Sequence, residues 1–227
     1  GNVSKNGTLS RRAVAELSRG CGWSPRTSAS KRPGIALDFP RPPRFLSAMK
    51  IHYFGAARTT TGSMYLIEVN GKKLLLECGL FQGHRQESEA LNKVLPFDTK
   101  SVDAVVLSHA HLDHAGKLPS LCKTYDGPIH CTSATRDLCG IMLLDSAHIQ
   151  EQDAVFVSKV RARKHQPPVE PLYTTPDAEK CVRQLVAHDY ETPFEVVPGV
   201  TVTFRDAGHI LGSAQIILDV QENGRKF

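Results

Sequence analysis

Three histidines and an aspartate fall within six positions of the stretch "SHAHLDHAG": His109, His111, Asp113 and His114. Imidazole nitrogens and carboxylate oxygens are ordinary ligands of zinc and related divalent ions. His109 and His111 are two apart. In extended backbone, residues i and i+2 point to the same side, so both rings can reach one ion from the end of a strand. Asp113 and His114 are adjacent and diverge unless the chain turns. "DHAGKLP" reads as a turn into a helix, which re-aims this pair at a neighbouring spot. The spacing therefore points to two adjacent metal sites. A metal site also needs ligands from elsewhere, and His209 in "RDAGHILGSA" sits in a second glycine loop between two strands. A polar loop of hydrogen-bonded histidines is the alternative, but it gives no reason for four ligand-type residues in six positions.

The elements that must hold these residues are legible on either side. "AVVLS" before the cluster is a short continuous apolar run, as in a strand buried on both faces. "KIHYFGAA" reads as a first strand ending in a glycine loop. "SMYLIEV" and "KKLLLEC" flank Asn70-Gly71, a type I′ hairpin signal. "GKLPSLCKTY" reads as helix and "GPIHCTS" as strand. Residues 133 to about 160 carry a long helical pattern, with Leu138, Ile141, Met142, Asp145, His148 and Ile149 on one stripe. Asp145 and His148 are spaced to pair with each other on it. Thr175 caps a helix running to about Ala187, with Pro176 in its first turn and Asp177 and Glu179 near its positive end. "FEVV" and "VTVTF" form a second hairpin, "SAQIILDV" is a further strand, and "ENGRK" brings another Asn-Gly turn. Strands, then helices, then strands argue a mixed α/β sandwich, sheets inside and helices outside. His52, His84, His130, His165 and His188 stand singly and read as solvated or packed.

Composition excludes several classes. No apolar run approaches the roughly eighteen residues that span a bilayer, so no membrane association is expected. None of the six cysteines forms a C-x-x-C pair, which removes zinc ribbons and thioredoxin-type sites. No secretory signal is visible, and free thiols in a reducing cytoplasm are the expected state. The net charge of +5 belongs to one end: residues 1–48 carry nine Lys/Arg against two acids, and the remaining residues carry −2. The basic balance is therefore no argument for nucleic-acid binding by the body. Residues 1–48, rich in Ser, Arg, Gly and Pro, read as a disordered basic leader, possibly non-native in origin, because the first methionine is Met49 and a clean strand pattern begins there. An RNA-binding arm or a transit peptide is the other reading of that leader. Residues 49–227 read as the N-terminal part of a domain.

"HAHLDHAG" matches the H-x-H-x-D-H signature of the metallo-β-lactamase superfamily. "FGAARTTTGSMYLIEVNGKKLLLECGLFQG", "GKLPSL" and "DAGHILGSA" resemble more specifically its β-CASP branch of RNA-processing nucleases, and the resemblance runs from Met49 to Phe227. It implies an αββα sandwich, incomplete at the C-terminus, and a metal-dependent hydrolase that cleaves RNA phosphodiesters with a metal-activated water. His109, His111 and His209 would ligate one zinc, and Asp113 and His114 would contribute to a second, two ions being expected in the complete protein. Asp113 would also orient or deprotonate the attacking water. The family's bridging aspartate, its β-CASP cassette and a later histidine motif would follow Phe227, so the resemblance implies an incomplete second site and impaired activity in this chain alone. Glu77 stands where relatives carry aspartate, and its extra methylene is expected to displace a carboxylate that orients the ligands. A metallo-hydrolase of a small ester or thioester, or an inactive metal-binding fragment, stays open on the same fold. Homo-oligomerisation stays open too.

Overall fold

In the computed structural model, which describes residues 49–227, Asn70 (φ 51°) and Gly71 (φ 73°) take the two left-handed positions of the expected hairpin turn. The leader, residues 1–48, lies outside the described residues. The turn joins β2 (Tyr65–Val69) to β3 (Lys72–Leu76), and β1 (Lys50–Tyr53) pairs with the other edge of β2. Beyond β3 the same sheet continues in parallel through β4 (Ala104–Val106), β5 (Ile129–Thr132) and β6 (Leu185–His188), in the order β1-β2-β3-β4-β5-β6. Parallel neighbours need crossover connections, and helices supply them. They are α1 (Arg85–Asn92), the short α2 (Leu112–Ala115) and α3 (Leu118–Cys122), the 30-residue α4 (Ser133–Ala162), and α5 (Thr175–Arg183). The second sheet is antiparallel, built from β7 (Phe194–Val197), β8 (Val200–Asp206), β9 (Ala214–Glu222) and β10 (Arg225–Lys226) in the order β10-β9-β8-β7.

Strand alternation divides the core in two. Leu66, Leu75, Val105 and Ile129 face the helices and pack with Leu118, Leu121, Cys139, Leu143, Ala178 and Cys181. Ile67, Val69, Leu74, Ala104 and Val106 face the second sheet and meet Val200, Val202, Phe204 and Val220. The result is the expected mixed α/β sandwich, layered helix, sheet, sheet. Every residue of β4 is buried, as its unbroken apolar run requires. Among the described residues no helix is long and apolar enough to cross a membrane. Cys78, Cys122, Cys131, Cys139 and Cys181 are buried and free, and burial pushes the Cys78 and Cys131 thiols up to about 12.

Four details depart from the sequence reading. The buried face of α4 is Thr135, Cys139, Leu143, Ala147 and Ala154, whereas Ile141, Asp145, His148 and Ile149 are exposed. Leu143 is the large side chain fully buried there, and Leu138 and Met142 of the expected stripe pack half-buried against the same core. His148 contacts Gln152 one turn on, at 2.7 Å, rather than Asp145. The helix α5 stops at Arg183, because Leu185–His188 pairs with β5 as a strand, and its N-cap is Thr174, whose backbone N–H and hydroxyl both donate to Asp177. Finally, His130 and His188 are not single: Nδ1 of His130 lies 2.8 Å from Nε2 of His188, both beside the Phe194 ring between the two sheets.

Leu143→Ala is expected to cost about 2–5 kcal/mol by cavity formation, and Ile141→Ala under about 0.5 kcal/mol; equal losses in urea unfolding would contradict this helix facing. A second outcome concerns pH. Burial, then the neighbouring His188, pushes His130 from 6.5 down to about 4. The native ring is therefore neutral where the unfolded one takes up a proton. Its contribution to stability is full above 6.5 and is lost as pH falls toward 4. Melting temperatures across that window should fall less steeply for His130→Asn than for the unsubstituted chain.

Candidate metal centre

The histidine cluster begins where β4 ends. Residues 108–111 run on from the strand, and His111 (φ −58°, ψ 143°) is the N-cap of α2, so Asp113 and His114 fall on that helix's first turn. The chain turns as the adjacent Asp-His pair requires. His209 comes from the other sheet, in the connection between β8 and β9. That connection is clamped where it enters β9. The Ala214 N–H donates to the Ser108 carbonyl at 2.9 Å, and the hydroxyls of Thr132 and Thr135 donate to the Gly212 carbonyl at 2.6 and 2.8 Å. Gly212 has φ 80°, and a Cβ there would stand 2.5 Å from the Thr135 nitrogen, so a side chain is excluded. Ser213 Oγ accepts the His209 and Ile210 N–H groups, each at 3.1 Å.

Three ring nitrogens converge. His111 Nδ1 lies 3.1 Å from His109 Nε2 and 3.2 Å from His209 Nε2. A tetrahedral ion with nitrogen ligands at about 2.0–2.1 Å holds two of them about 3.3 Å apart, so the donor set fits a metal such as zinc. Ser108 Oγ, 2.8 Å from His109 Nδ1, fixes that ring and leaves Nε2 for the site. Burial, followed by the charges of His114, His111 and His209, pushes His109 down to about 4. The ring is neutral at pH 7 and its lone pair is available for ligation. His109 is buried, His111 half-buried and His209 exposed, so the centre opens to solvent on the His209 side.

Asp113 and His114 lie alongside, with His114 Nε2 3.6 Å from Asp113 Oδ2. His114 Nδ1 is 3.0 Å from Glu77 Oε2, while Glu77 Oε1 accepts the Ser108 N–H at 2.8 Å. Burial alone would lower the His114 pKa, but the Glu77 hydrogen bond and charge, with Asp113, carry it upward. The longer Glu77 side chain reaches both partners, from a left-handed backbone, φ 62°. Glu77, His109 and His114 also offer ligand atoms within 4.8 Å of one another. Both Glu77 oxygens are already engaged, so this carboxylate reads as the support of the ligands.

The backbone makes the arrangement rigid. The Ser63 N–H donates to the Asp113 carbonyl, Cys78 to His114, Leu80 to Leu112, and Lys117 to Cys78, all at 2.7–2.9 Å. Gly79 lies at the crossing, where a Cβ would stand 1.7 Å from the Asp113 oxygen. The sequence reading missed Ser108, Ser213, Thr132 and Thr135. A serine beside one ligand and another in the loop of a second, "SHAH" and "GHILGSA", was the available signal.

Over residues 57–139 the chain matches the Metallo-beta-lactamase superfamily. It is 37% identical over 179 residues to Ribonuclease TTHA0252 of Thermus thermophilus, covering 78% of this chain and 36% of that protein. It is 30% identical over 175 residues to Transcription termination factor FttA of Methanocaldococcus jannaschii, covering 77% and 25%. The chain thus spans about a third or less of the curated relatives it matches. A subclass B3 metallo-beta-lactamase from a soil metagenome library has 19% identity and a TM-score of 0.45, with coverage of 78% of this chain and 57% of that one.

Substituting both His109 and His209 by Ala is expected to remove the more tightly held ion. Mass spectrometry of the metal content of both proteins under native conditions reads this out, and equal content would sink the ligand assignment.

Proposed function

This chain belongs to the metallo-beta-lactamase superfamily, and on that footing we propose that it carries the metal-binding part of a zinc-dependent ribonuclease of the β-CASP branch. The observation that carries the reading is the convergence of His109, His111 and His209 from two sheets onto one point beside Asp113 and His114. The names of two relatives, a ribonuclease and a transcription termination factor, favour RNA as substrate. Buried free thiols and an RNA substrate together favour a cytoplasmic location.

His109, His111 and His209 would hold one ion, and Asp113 with His114 would contribute to its neighbour. Bound zinc would supply Lewis-acid stabilisation of the phosphoryl charge and activation of water. The protein's own groups do the rest. Glu77 takes up Nδ1 of His114 and so directs its Nε2 outward to the site. The Asp113 carboxylate, half-buried and facing His114 Nε2, orients the attacking water and accepts its proton. Water oxygen then bonds to phosphorus as the opposite P–O bond breaks, and the leaving oxygen takes up a proton. Asp113 and His114 are the candidate ligands for the second position, fewer than an ion needs, so we expect this chain alone to cleave slowly, with the remaining ligands supplied by regions that the longer relatives possess.

An extended gene product and this chain would be incubated with end-labelled single-stranded RNA and zinc or manganese, with chelator-treated and Asp113→Ala controls. Cleavage by the extended protein, lost with Asp113→Ala by at least about a hundredfold, is the expected result. Full-rate cleavage by this chain alone would refute the view of its second site, and a small-ester substrate turned over in place of RNA would refute the substrate.

A further inference from the structure

The connection from β1 to β2 supplies no candidate ligand, yet it is built as a fixed projection. Its base is pinched: a Cβ on Gly55 would stand 1.7 Å from the Gly62 carbonyl oxygen, and one on Gly62 would meet the Phe81 ring at 2.6–2.7 Å. Thr61 Oγ1 donates to the Gln82 carbonyl and accepts the Gln82 N–H. Next in sequence, the Ser63 N–H donates to the carbonyl of Asp113 itself, at 2.9 Å. The base is thereby locked to the metal loop, and the tip, Ala57, Arg58, Thr59 and Thr60, is exposed.

Topology puts this projection at the right end of the sheet. β1 and β2 are antiparallel, β2 and β3 are antiparallel, and β3 and β4 are parallel. The β1–β2 connection therefore rises from the same edge as Glu77 and the histidine cluster. It starts three strand spacings, about 14 Å, from the end of β4 and returns into β2, two spacings or about 10 Å away.

Arg58 occupies the tip with φ 65°, and Ala56 below it has φ 50°. Left-handed backbone is unfavourable for a residue with a Cβ and free for glycine. A strained arginine at a fixed tip invites a functional reading of its side chain. No ion pair engages Arg58 among the described residues. Residues 49–227 carry a net charge of −2, so the body has no general field to draw in a polyanion and needs placed cations instead.

We propose that Arg58 binds the substrate backbone, its guanidinium gripping a phosphate next to the one at the metal ligands. The planar fork of donors suits phosphate oxygens, and its charge is permanent. This rests on the RNA reading above and adds a specific contact to it.

The test uses the full chain loaded with zinc, a short fluorescent single-stranded RNA, and anisotropy measured over a salt series. Arg58→Gly removes the fork while keeping the left-handed backbone comfortable, and Arg58→Lys keeps the charge without the fork. A synthetic peptide of residues 1–48 shows what the basic leader binds on its own. The chain should bind more tightly than the peptide. Arg58→Gly should weaken binding about tenfold and reduce the slope of log affinity against log salt by about 0.7, the value for one phosphate contact on a single strand. Arg58→Lys should keep the slope and recover part of the affinity. Zinc content and melting temperature should be unchanged in both. An unchanged slope and affinity in Arg58→Gly would overturn the contact, and so would a loss of affinity accompanied by lost zinc or a lower melting temperature, which would mark a scaffold residue. Binding by the chain no tighter than by the peptide would overturn the RNA reading itself, and this contact with it.

Discussion

One buried carboxylate sits behind the metal centre, and both halves of the histidine cluster lean on it. Glu77 at the end of β3 accepts the Ser108 N–H with one oxygen and faces His114 Nδ1 with the other. The first contact fixes the backbone immediately before His109, and the second fixes the ring on the far side of the turn. A carboxylate buried this deeply is tolerable only because both oxygens are partnered. The backbone ladder between residues 77–80 and 112–117 prevents either loop from drifting, and the absence of a side chain at Gly79 lets the two backbones come that close. The geometry of the candidate ligands therefore depends on contacts made away from the converging ring nitrogens.

The far end of the same loop is tied down by a buried lysine. Lys117 donates from its backbone to Cys78 and from its ammonium to the carbonyls of Leu91 and Val94, at 3.0 and 2.8 Å, where α1 ends. Burial pushes its pKa down. The carbonyl end of a helix is nonetheless where a cation is best placed, and the Phe81 ring lies 5.8 Å away. Removing this side chain would leave two carbonyls without a donor.

His209 couples the centre to the second sheet. Its loop hangs from Ser108 on one side and from Thr132 and Thr135 at the start of α4 on the other. An ion held by His109, His111 and His209 would therefore bridge the two sheets. Binding free energy at such a site adds to folding free energy, because the unfolded chain has no preformed site. The ligand from the second sheet is also the exposed one, which leaves the approach to the centre on that side.

The local signals in the sequence were enough for the motif and most of the scaffold. The i, i+2 spacing of His109 and His111 on a strand end, the turn at Asp113, the Asn70-Gly71 hairpin and the unbroken apolar run of β4 all follow from backbone geometry within a few residues. Tertiary packing decided the rest. Which face of α4 is buried was decided by its packing against the sheet and α5, where Cys139, Leu143 and Ala147 are buried and Ile141 is exposed. Whether "LVAH" continued α5 or became β6 depended on a free edge of β5, which no local pattern displays. The pairing of His130 with His188 joins residues 58 positions apart. The contacts of Glu77 reach residues 31 and 37 positions away. Side-chain identity and short-range spacing specify which groups can bind a metal; only long-range packing sets the distances between them.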